Sequence, residues 1–112
     1  MRNLSMLVFI FSSLGASLAV AAEPKIDFIS PADGAKLDAK VQAKVSYEVT
    51  PGRGGDHVHL YVDGREATVL REKKGTYTLD LLEPGGHQIC IRMVDKNHTP
   101  IGVERCIKVT AE

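Results

Sequence analysis

Apolar and polar residues alternate along several short segments of this chain, and a period of two is typical of β-strands. The clearest segment spans residues 40–49, and its predicted buried face consists of Val41, Ala43, Val45, Tyr47 and Val49. Six further segments show a similar pattern, at residues 25–29, 57–62, 65–71, 76–82, 87–95 and 101–110. Turn-forming residues such as glycine, proline and aspartate separate them. The pattern predicts seven short strands and no helix of three turns beyond residue 22.

Seven strands at near-regular spacing favour a seven-stranded antiparallel sandwich of the immunoglobulin or fibronectin type III kind. Asp63-Gly64 suits the two-residue turn of a hairpin within it. The alternating apolar positions predict a core that contains Val45, Tyr47, Val58, Leu60, Leu79, Ile89 and Ile91. The third and sixth strands are neighbours in this topology. We therefore expect the loop that holds His98 to lie at the same end as His57, with His87 at the opposite end.

The last two predicted strands can be aligned by pairing Asp95 with Ile101 across a five-residue loop. This register gives four favourable pairs, Cys90–Cys106, Arg92–Glu104, Ile89–Ile107 and Met93–Val103. Their agreement supports the register, because side chains opposite each other on antiparallel strands interact. Arg105 is the exception, since it would face inward opposite Ile91. Either a β-bulge near Arg105 or an arginine that extends its charged end to solvent would explain this.

The amino-terminal residues have the features of a secretory signal. Arg2 supplies the positive charge, residues 4–18 form an apolar run, and residues 19–21 are a small-residue cleavage signal. We expect residues 1–21 to be a signal peptide and residues 22–112 to form one domain of a periplasmic or secreted protein. The apolar run is too short, and wrongly flanked, to be a convincing transmembrane span, so we expect no membrane insertion after the signal is cleaved. Removing Arg2 lowers 14 basic residues to 13, against 14 acidic ones, so no basic surface for nucleic acid is expected.

Export also bears on Cys90 and Cys106, the two cysteines of the chain. An oxidising compartment permits a disulfide between them. Their spacing fits no zinc motif of the paired C-x-x-C kind. A catalytic pair usually needs a thiol of low pKa at a helix end or in a C-x-x-C motif, and the chain has neither. We therefore predict a structural disulfide.

Four segments resemble an uncharacterised family of small exported bacterial immunoglobulin-like proteins. The family shows an F-I-x-P-x-D-G-like opening, a G-H-H-H-L-L-I-D-like strand, an L-x-P-G-x-H-T-L-like turn and a D-x-N-H-x-P-like loop, matched by residues 28–34, 55–63, 82–87 and 95–100. The resemblance implies export and a β-sandwich, and it implies no established activity. Val58 stands where the family has its middle histidine. Residues 30–35 also look like the opening of CopC-type copper carriers, without the amino-terminal histidine of such sites.

Metal binding is the most specific chemical function that the sequence suggests. His57 and His59 leave the same face of a predicted strand, with their backbones roughly 6.5–7 Å apart, so both imidazoles can reach one ion. His98 is the candidate third ligand, and Asp56 or Asp95 could add a carboxylate. Such a set suits zinc, copper or nickel. The alternative is that these are surface histidines on a solvated sheet face.

Two functions therefore stay open. The first is a non-enzymatic module that contacts an unknown exported protein or glycan through Tyr61, Arg92 and the neighbouring loops. The alternative is a periplasmic zinc- or copper-binding or carrier protein that uses His57, His59 and His98. His87 is expected to be structural. An enzyme fits poorly, because the chain has no G-x-S-x-G elbow and no phosphate-binding glycine loop before a helix.

Overall fold

The computed structural model describes residues 23–112, so the predicted signal peptide lies outside the described residues. The described strands are β1 (Lys25–Ser30), β2 (Lys36–Leu37), β3 (Lys44–Thr50), β4 (His57–Val62), β5 (Arg65–Leu70), β6 (Lys74–Thr78), β7 (Gly85–Val94) and β8 (Pro100–Ala111). They form one sheet in the order β1-β3-β6 and a second in the order β2-β8-β7-β4-β5. Residues 23–112 contain no helix, and hence none that could cross a membrane. The all-β, two-sheet prediction is confirmed.

Strand β2 is the element that the sequence pattern missed, and it runs parallel to β8 with Leu37 opposite Ala111. Strand β2 and the residue before it satisfy backbone groups along the edge of β8, for example through the bond from Thr110 N–H to the carbonyl oxygen of Ala35 at 3.0 Å. The prediction of seven strands in purely antiparallel sheets is therefore wrong in strand count and in this one pairing. A strand of two residues is too short to show alternation.

Two predicted strands are longer than the observed β3 and β6. A turn precedes β3, because Val41 N–H donates to the carbonyl oxygen of Asp38 at 3.1 Å. The Val41 residue is consequently 59% exposed, and Leu81, which follows β6, is 58% exposed. In both segments, the alternation of apolar and polar residues continues beyond the residues that pair with a neighbouring strand. The end of a strand is set by that pairing, which the sequence pattern does not report.

The core lies between the two sheets, and every residue predicted for it is buried. These residues are Val45, Tyr47, Val58, Leu60, Leu79, Ile89 and Ile91. Full burial of such a side chain stabilises the fold by about 1.5–3 kcal/mol. Val58 and Leu60 belong to β4, so the inner face of this strand is anchored in the core. Its outer face carries the candidate site.

The predicted β7–β8 register is correct up to Arg92 and wrong beyond it. The observed pairs include Ile89–Ile107, Cys90–Cys106 and Arg92–Glu104. A bulge between Arg92 and Val94 then pairs Val94 with Pro100, so the predicted Met93–Val103 and Asp95–Ile101 pairs do not form. Gly102 lies in the bulged part of β8 with a φ of 85°, a conformation that glycine adopts without steric cost.

Arg105 lies opposite Ile91 as predicted, and its side chain reaches out of the sandwich. Its Nη1 donates to the carbonyl oxygen of Ile26 at 3.2 Å and to Oδ1 of Asp27 at 3.3 Å. The side chain is 56% exposed. Of the two predicted alternatives, extension to solvent is therefore the one observed, and the neighbouring bulge leaves Arg105 in register.

The β4–β5 hairpin combines a tight turn with a bulge. Residues 63–64 have φ values of 50° and 80°, as a two-residue turn of this type requires. The turn places Tyr61 opposite Glu66, and Ala67 is then bulged out of the pairing. Glu66 and Leu70 would share one face of a regular strand because they are four residues apart. The bulge lets Glu66 face outward while Leu70 enters the core.

Candidate metal centre

Strand β4 places His57 and His59 side by side on the outer face of the five-stranded sheet. Their ring centroids are 5.2 Å apart. Only 3% of His57 and 8% of His59 is exposed, although both residues are polar. Buried polar atoms need partners, so the contacts of each ring nitrogen determine what this pair can do.

The loop between β7 and β8 brings His98 to the same rings. Asp95 organises this loop: its Oδ1 accepts from the backbone N–H groups of Asn97 at 2.8 Å and Thr99 at 3.0 Å, and its carbonyl oxygen accepts from His98 N–H at 3.0 Å. His98 adopts a left-handed φ of 62°, which is uncommon outside glycine. The structure thus places His98 at the His57 end, as the predicted order of strands implied.

His57, His59 and His98, the histidine cluster, point three ring nitrogens at one another. Nε2 of His57 is 3.2 Å from Nε2 of His59 and 3.2 Å from Nδ1 of His98, and the last two atoms are 2.9 Å apart. Metal–nitrogen bonds of about 2.0–2.1 Å at tetrahedral angles place two ligand nitrogens about 3.3 Å apart. The spacing therefore fits a single ion bound by all three rings.

Carboxylates on the far side of two rings determine which nitrogen carries the proton. Nδ1 of His57 is 2.8 Å from Oδ2 of Asp56, and Nδ1 of His59 is 2.5 Å from Oε1 of Glu66. A carboxylate accepts, so Nδ1 holds the proton of each neutral ring and Nε2 presents a lone pair. Two lone pairs that face each other cannot hydrogen-bond, whereas a cation between them satisfies both. The same carboxylate–histidine arrangement supports metal-bound histidines in general.

Electrostatics favour the neutral form of His59. Burial lowers the pKa of His59 below its usual range; the Glu66 carboxylate opposes this, while His57 and His98 lower it further. The hydrogen bond from His57 is the main cause that lowers the pKa of Asp56. An ionised Asp56 and a neutral His59 are the states that a cation site needs, because only an unprotonated imidazole nitrogen binds metal.

His87 lies at the opposite end of the sheet in a different environment. Its Nδ1 is 2.5 Å from Oδ2 of Asp63, and its Nε2 is 2.6 Å from the carbonyl oxygen of Glu83. Both nitrogens therefore donate, and the hydrogen bond to Asp63 is the main cause that raises the pKa of His87. With no lone pair available for a metal, this geometry agrees with the structural role expected for His87.

The other predicted site residues lie on the same outer face. Cys90 and Cys106 form a disulfide with an S–S distance of 2.05 Å. The Arg92 guanidinium lies 4.5 Å from the centre of the Tyr61 ring, and its Nε donates to Glu104 at 2.5 Å. The structure brings Tyr61 and Arg92 together, and their role as a contact patch stays a prediction.

Glu66 is the side chain at the candidate site that sequence reasoning missed. The Asp63-Gly64 turn contained the signal, because a two-residue turn places Glu66 opposite Tyr61 and therefore on the face of His59. The carboxylates considered as extra ligands have other contacts: Asp56 binds the outer nitrogen of His57, and Asp95 holds the loop. These acidic residues support the histidine cluster from outside.

Solved structures that are similar to this chain show its fold alone. Fibronectin(III)-like modules of Clostridium thermocellum CbhA match with a TM-score of 0.62 and 18% identity over 83% of this chain and 48% of theirs, so the chain spans about half of that structure. The neutron structure of a Jonesia denitrificans lytic polysaccharide monooxygenase matches with a TM-score of 0.52 and 18% identity, over 74% of this chain and 61% of that one. An engineered protein matches with a TM-score of 0.58 and 19% identity, over 83% of this chain and 21% of that one. No protein-family model and no curated protein matches the sequence, and the family resemblance stays a prediction.

Proposed function

We propose that this protein is an exported, non-enzymatic metal-binding protein that carries one zinc or copper ion in the histidine cluster. The observation that supports the proposal is the convergence of two Nε2 atoms and one Nδ1 atom within 3.2 Å of one another. Neutral imidazoles are ligands for both zinc and copper. Asp56 and Glu66 hold two of these rings in the orientation that directs a lone pair at the ion.

The rest of the fold favours a carried ion over a structural one. A core between two sheets and the Cys90–Cys106 disulfide stabilise the domain. Structural zinc sites, in contrast, use four protein ligands and hold together domains that are unfolded without the metal. The cluster offers three histidines and leaves a coordination position for a ligand from another molecule. A carrier or sensor needs such a position.

Export and the absence of catalysis rest on other observations. Disulfides persist in oxidising compartments such as the periplasm or the cell exterior, which supports export. The likeness to fibronectin(III)-like modules supports a binding role at the level of the fold. The likeness to a monooxygenase is also a similarity of fold only. Catalytic turnover by the metal-loaded protein would contradict the proposal that the protein is not an enzyme.

Calorimetric titration of the exported protein with zinc and with copper(II) tests the proposal. One ion per chain should bind. Binding should weaken as the pH falls below about 6.5, the usual pKa of an imidazole, and His59 should take up its proton at a still lower pH because burial lowers its pKa. His57→Ala and His59→Ala should lose specific binding. The matched control is His87→Ala, which removes a histidine from the opposite end and should keep it. Wild-type affinity no tighter than that of an isolated surface histidine would contradict the proposal.

A second candidate function is contact with an exported protein or glycan through Tyr61 and Arg92. Its support is the fixed geometry of the pair, since Glu104 holds the guanidinium beside the aromatic ring. Arginine and tyrosine held in place are frequent interface hot spots. A purified glycan or exported protein that binds wild type and His57→Ala equally, and Tyr61→Ala weakly, would support this function. Equal binding to Tyr61→Ala would contradict it.

A further inference from the structure

The histidine cluster, taken as the proposed metal site, contains two kinds of ligand. His57 and His59 are nearly buried on β4, and each places its Nδ1 against a carboxylate, of Asp56 and Glu66 respectively. Such carboxylates fix the orientation of the ring and raise its basicity as a ligand. These two histidines are therefore in position before an ion arrives.

His98 differs from them in burial and in support. It is exposed, and it belongs to the loop between β7 and β8. Its Nδ1 faces the cluster, whereas no hydrogen bond from residues 23–112 reaches its Nε2. Among residues 23–112, the His98 ring thus has hydrogen-bonding partners on the cluster side alone. Of the three rings, it is the one that can leave the ion at the smallest cost.

The backbone beneath His98 is nevertheless well held. Asp95 accepts hydrogen bonds from the N–H groups of Asn97, His98 and Thr99, and its own N–H donates to Thr99 at 2.9 Å. Rotation of an exposed side chain takes picoseconds to nanoseconds, much less than the opening of packed structure. The His98 ring can therefore swing into solvent and return while the loop keeps its shape.

We infer that His98 is the exchangeable ligand of the site, and that the ion passes to an acceptor protein through the surface that His98 covers. We take the acceptor's ligand to be a neutral imidazole, because this is the donor type that all three residues of the histidine cluster share. In the exchange, a bond from this imidazole to the ion forms as the bond from His98 Nδ1 breaks. No electron and no proton is transferred. His57 and His59 hold the ion until further acceptor ligands replace them.

The test follows zinc transfer from the loaded, exported protein to a chromogenic pyridylazo chelator, which supplies an aromatic nitrogen donor as the acceptor does. His98→Asn is the main variant, because asparagine tolerates a positive φ and the change removes only the imidazole. One zinc per chain should still bind, with an affinity on the order of 10- to 100-fold weaker, comparable to the loss of a ligand-supporting partner. Transfer should become faster by a similar factor. The wild-type rate should rise with the concentration of chelator.

Each other result overturns the inference. If His98→Asn loses zinc as completely as His57→Ala, His98 is an obligatory ligand; if neither affinity nor rate changes, it is no ligand. A wild-type rate that does not depend on chelator means that the ion leaves before the acceptor arrives. All three results leave the proposed metal binding intact. A wild-type protein that binds no zinc or copper specifically refutes the proposed function itself.

Discussion

The two ends of the five-stranded sheet both combine histidine with carboxylate, and they do so in opposite ways. At one end, His57 and His59 each give one ring nitrogen to a carboxylate and turn the other toward a shared point. At the other end, His87 places both nitrogens on acceptors, Asp63 and the carbonyl oxygen of Glu83. The first arrangement offers lone pairs, and the second uses every nitrogen as a donor.

The two environments also move the histidine pKa in opposite directions. Burial lowers the pKa of His59, and the hydrogen bond to Asp63 raises that of His87. A neighbouring carboxylate is common to both rings, so it does not distinguish a ligand from a structural cation. The number of acceptors around the ring does, because one acceptor leaves a nitrogen for a metal and two acceptors leave none.

Metal-dependent stability should show the largest difference between the ends. A ligand that binds only the folded state raises the free energy of unfolding by about 4 kcal/mol at 1,000 times its dissociation constant. Urea unfolding of the wild type with and without zinc should show such an increase. His59→Ala should lose it, and His87→Ala should retain it. If His59→Ala kept the zinc-dependent increase in the free energy of unfolding, the two ends of the sheet would not differ in metal binding as argued.

Removing the disulfide should change the stability of the whole domain without changing the metal site. Replacing Cys90 and Cys106 by serine should lower the free energy of unfolding by about 3 kcal/mol, because the bond closes a loop of roughly 15 residues in the unfolded chain. Zinc affinity of the folded variant should stay near that of the wild type. Denaturant titration and calorimetry measure the two quantities. A parallel fall in both would mean that the histidine cluster depends on this bond.

Removing one supporting carboxylate should have a smaller effect. Glu66→Ala should weaken zinc binding on the order of 10- to 100-fold, as loss of an outer-shell partner generally does. The imidazole ¹⁵N shifts of His59 should show a larger share of the tautomer protonated on Nε2. Asp63→Asn is the matched control at the opposite end and should leave zinc affinity unchanged. Unchanged shifts in Glu66→Ala would show that the carboxylate does not fix the ring.

The His87–Asp63 pair should make the smallest contribution, and one that depends on pH. His87 has a raised pKa in the folded protein, so its contribution is complete below 6.5 and is lost as the pH rises through the folded value. Asp63 has a lowered pKa, so its contribution is present above 3.8 and is lost as the pH falls through the folded value. His87→Gln should therefore cost about 1 kcal/mol at about pH 5 and less at about pH 9. Equal costs at both values would contradict an ion pair.

Sequence reasoning reached the parts of the structure that local pattern determines. Alternation identified the core, and one strand register identified the disulfide. Strand ends, β2 and the bulge after Arg92 depend on where a partner strand lies, which period-two patterning does not report. The same limit applied to Glu66, which contacts His59 only after the hairpin is closed. His98 could be assigned to the correct end of the sheet, because the antiparallel pairing of β4 and β7 is sufficient to place the loop after β7 beside the start of β4.

The bulge at Ala67 also bears on self-association. β5 is the last strand of its sheet, so its free edge offers unpaired backbone groups to other chains. The bulge interrupts the regular spacing of those groups and bends the strand. Deleting Ala67 would leave Glu66 and Leu70 on their present faces and create a straight edge beside the exposed Val69. Such a chain should pair edge to edge with a second copy, so a single extra residue helps to keep neighbouring molecules apart.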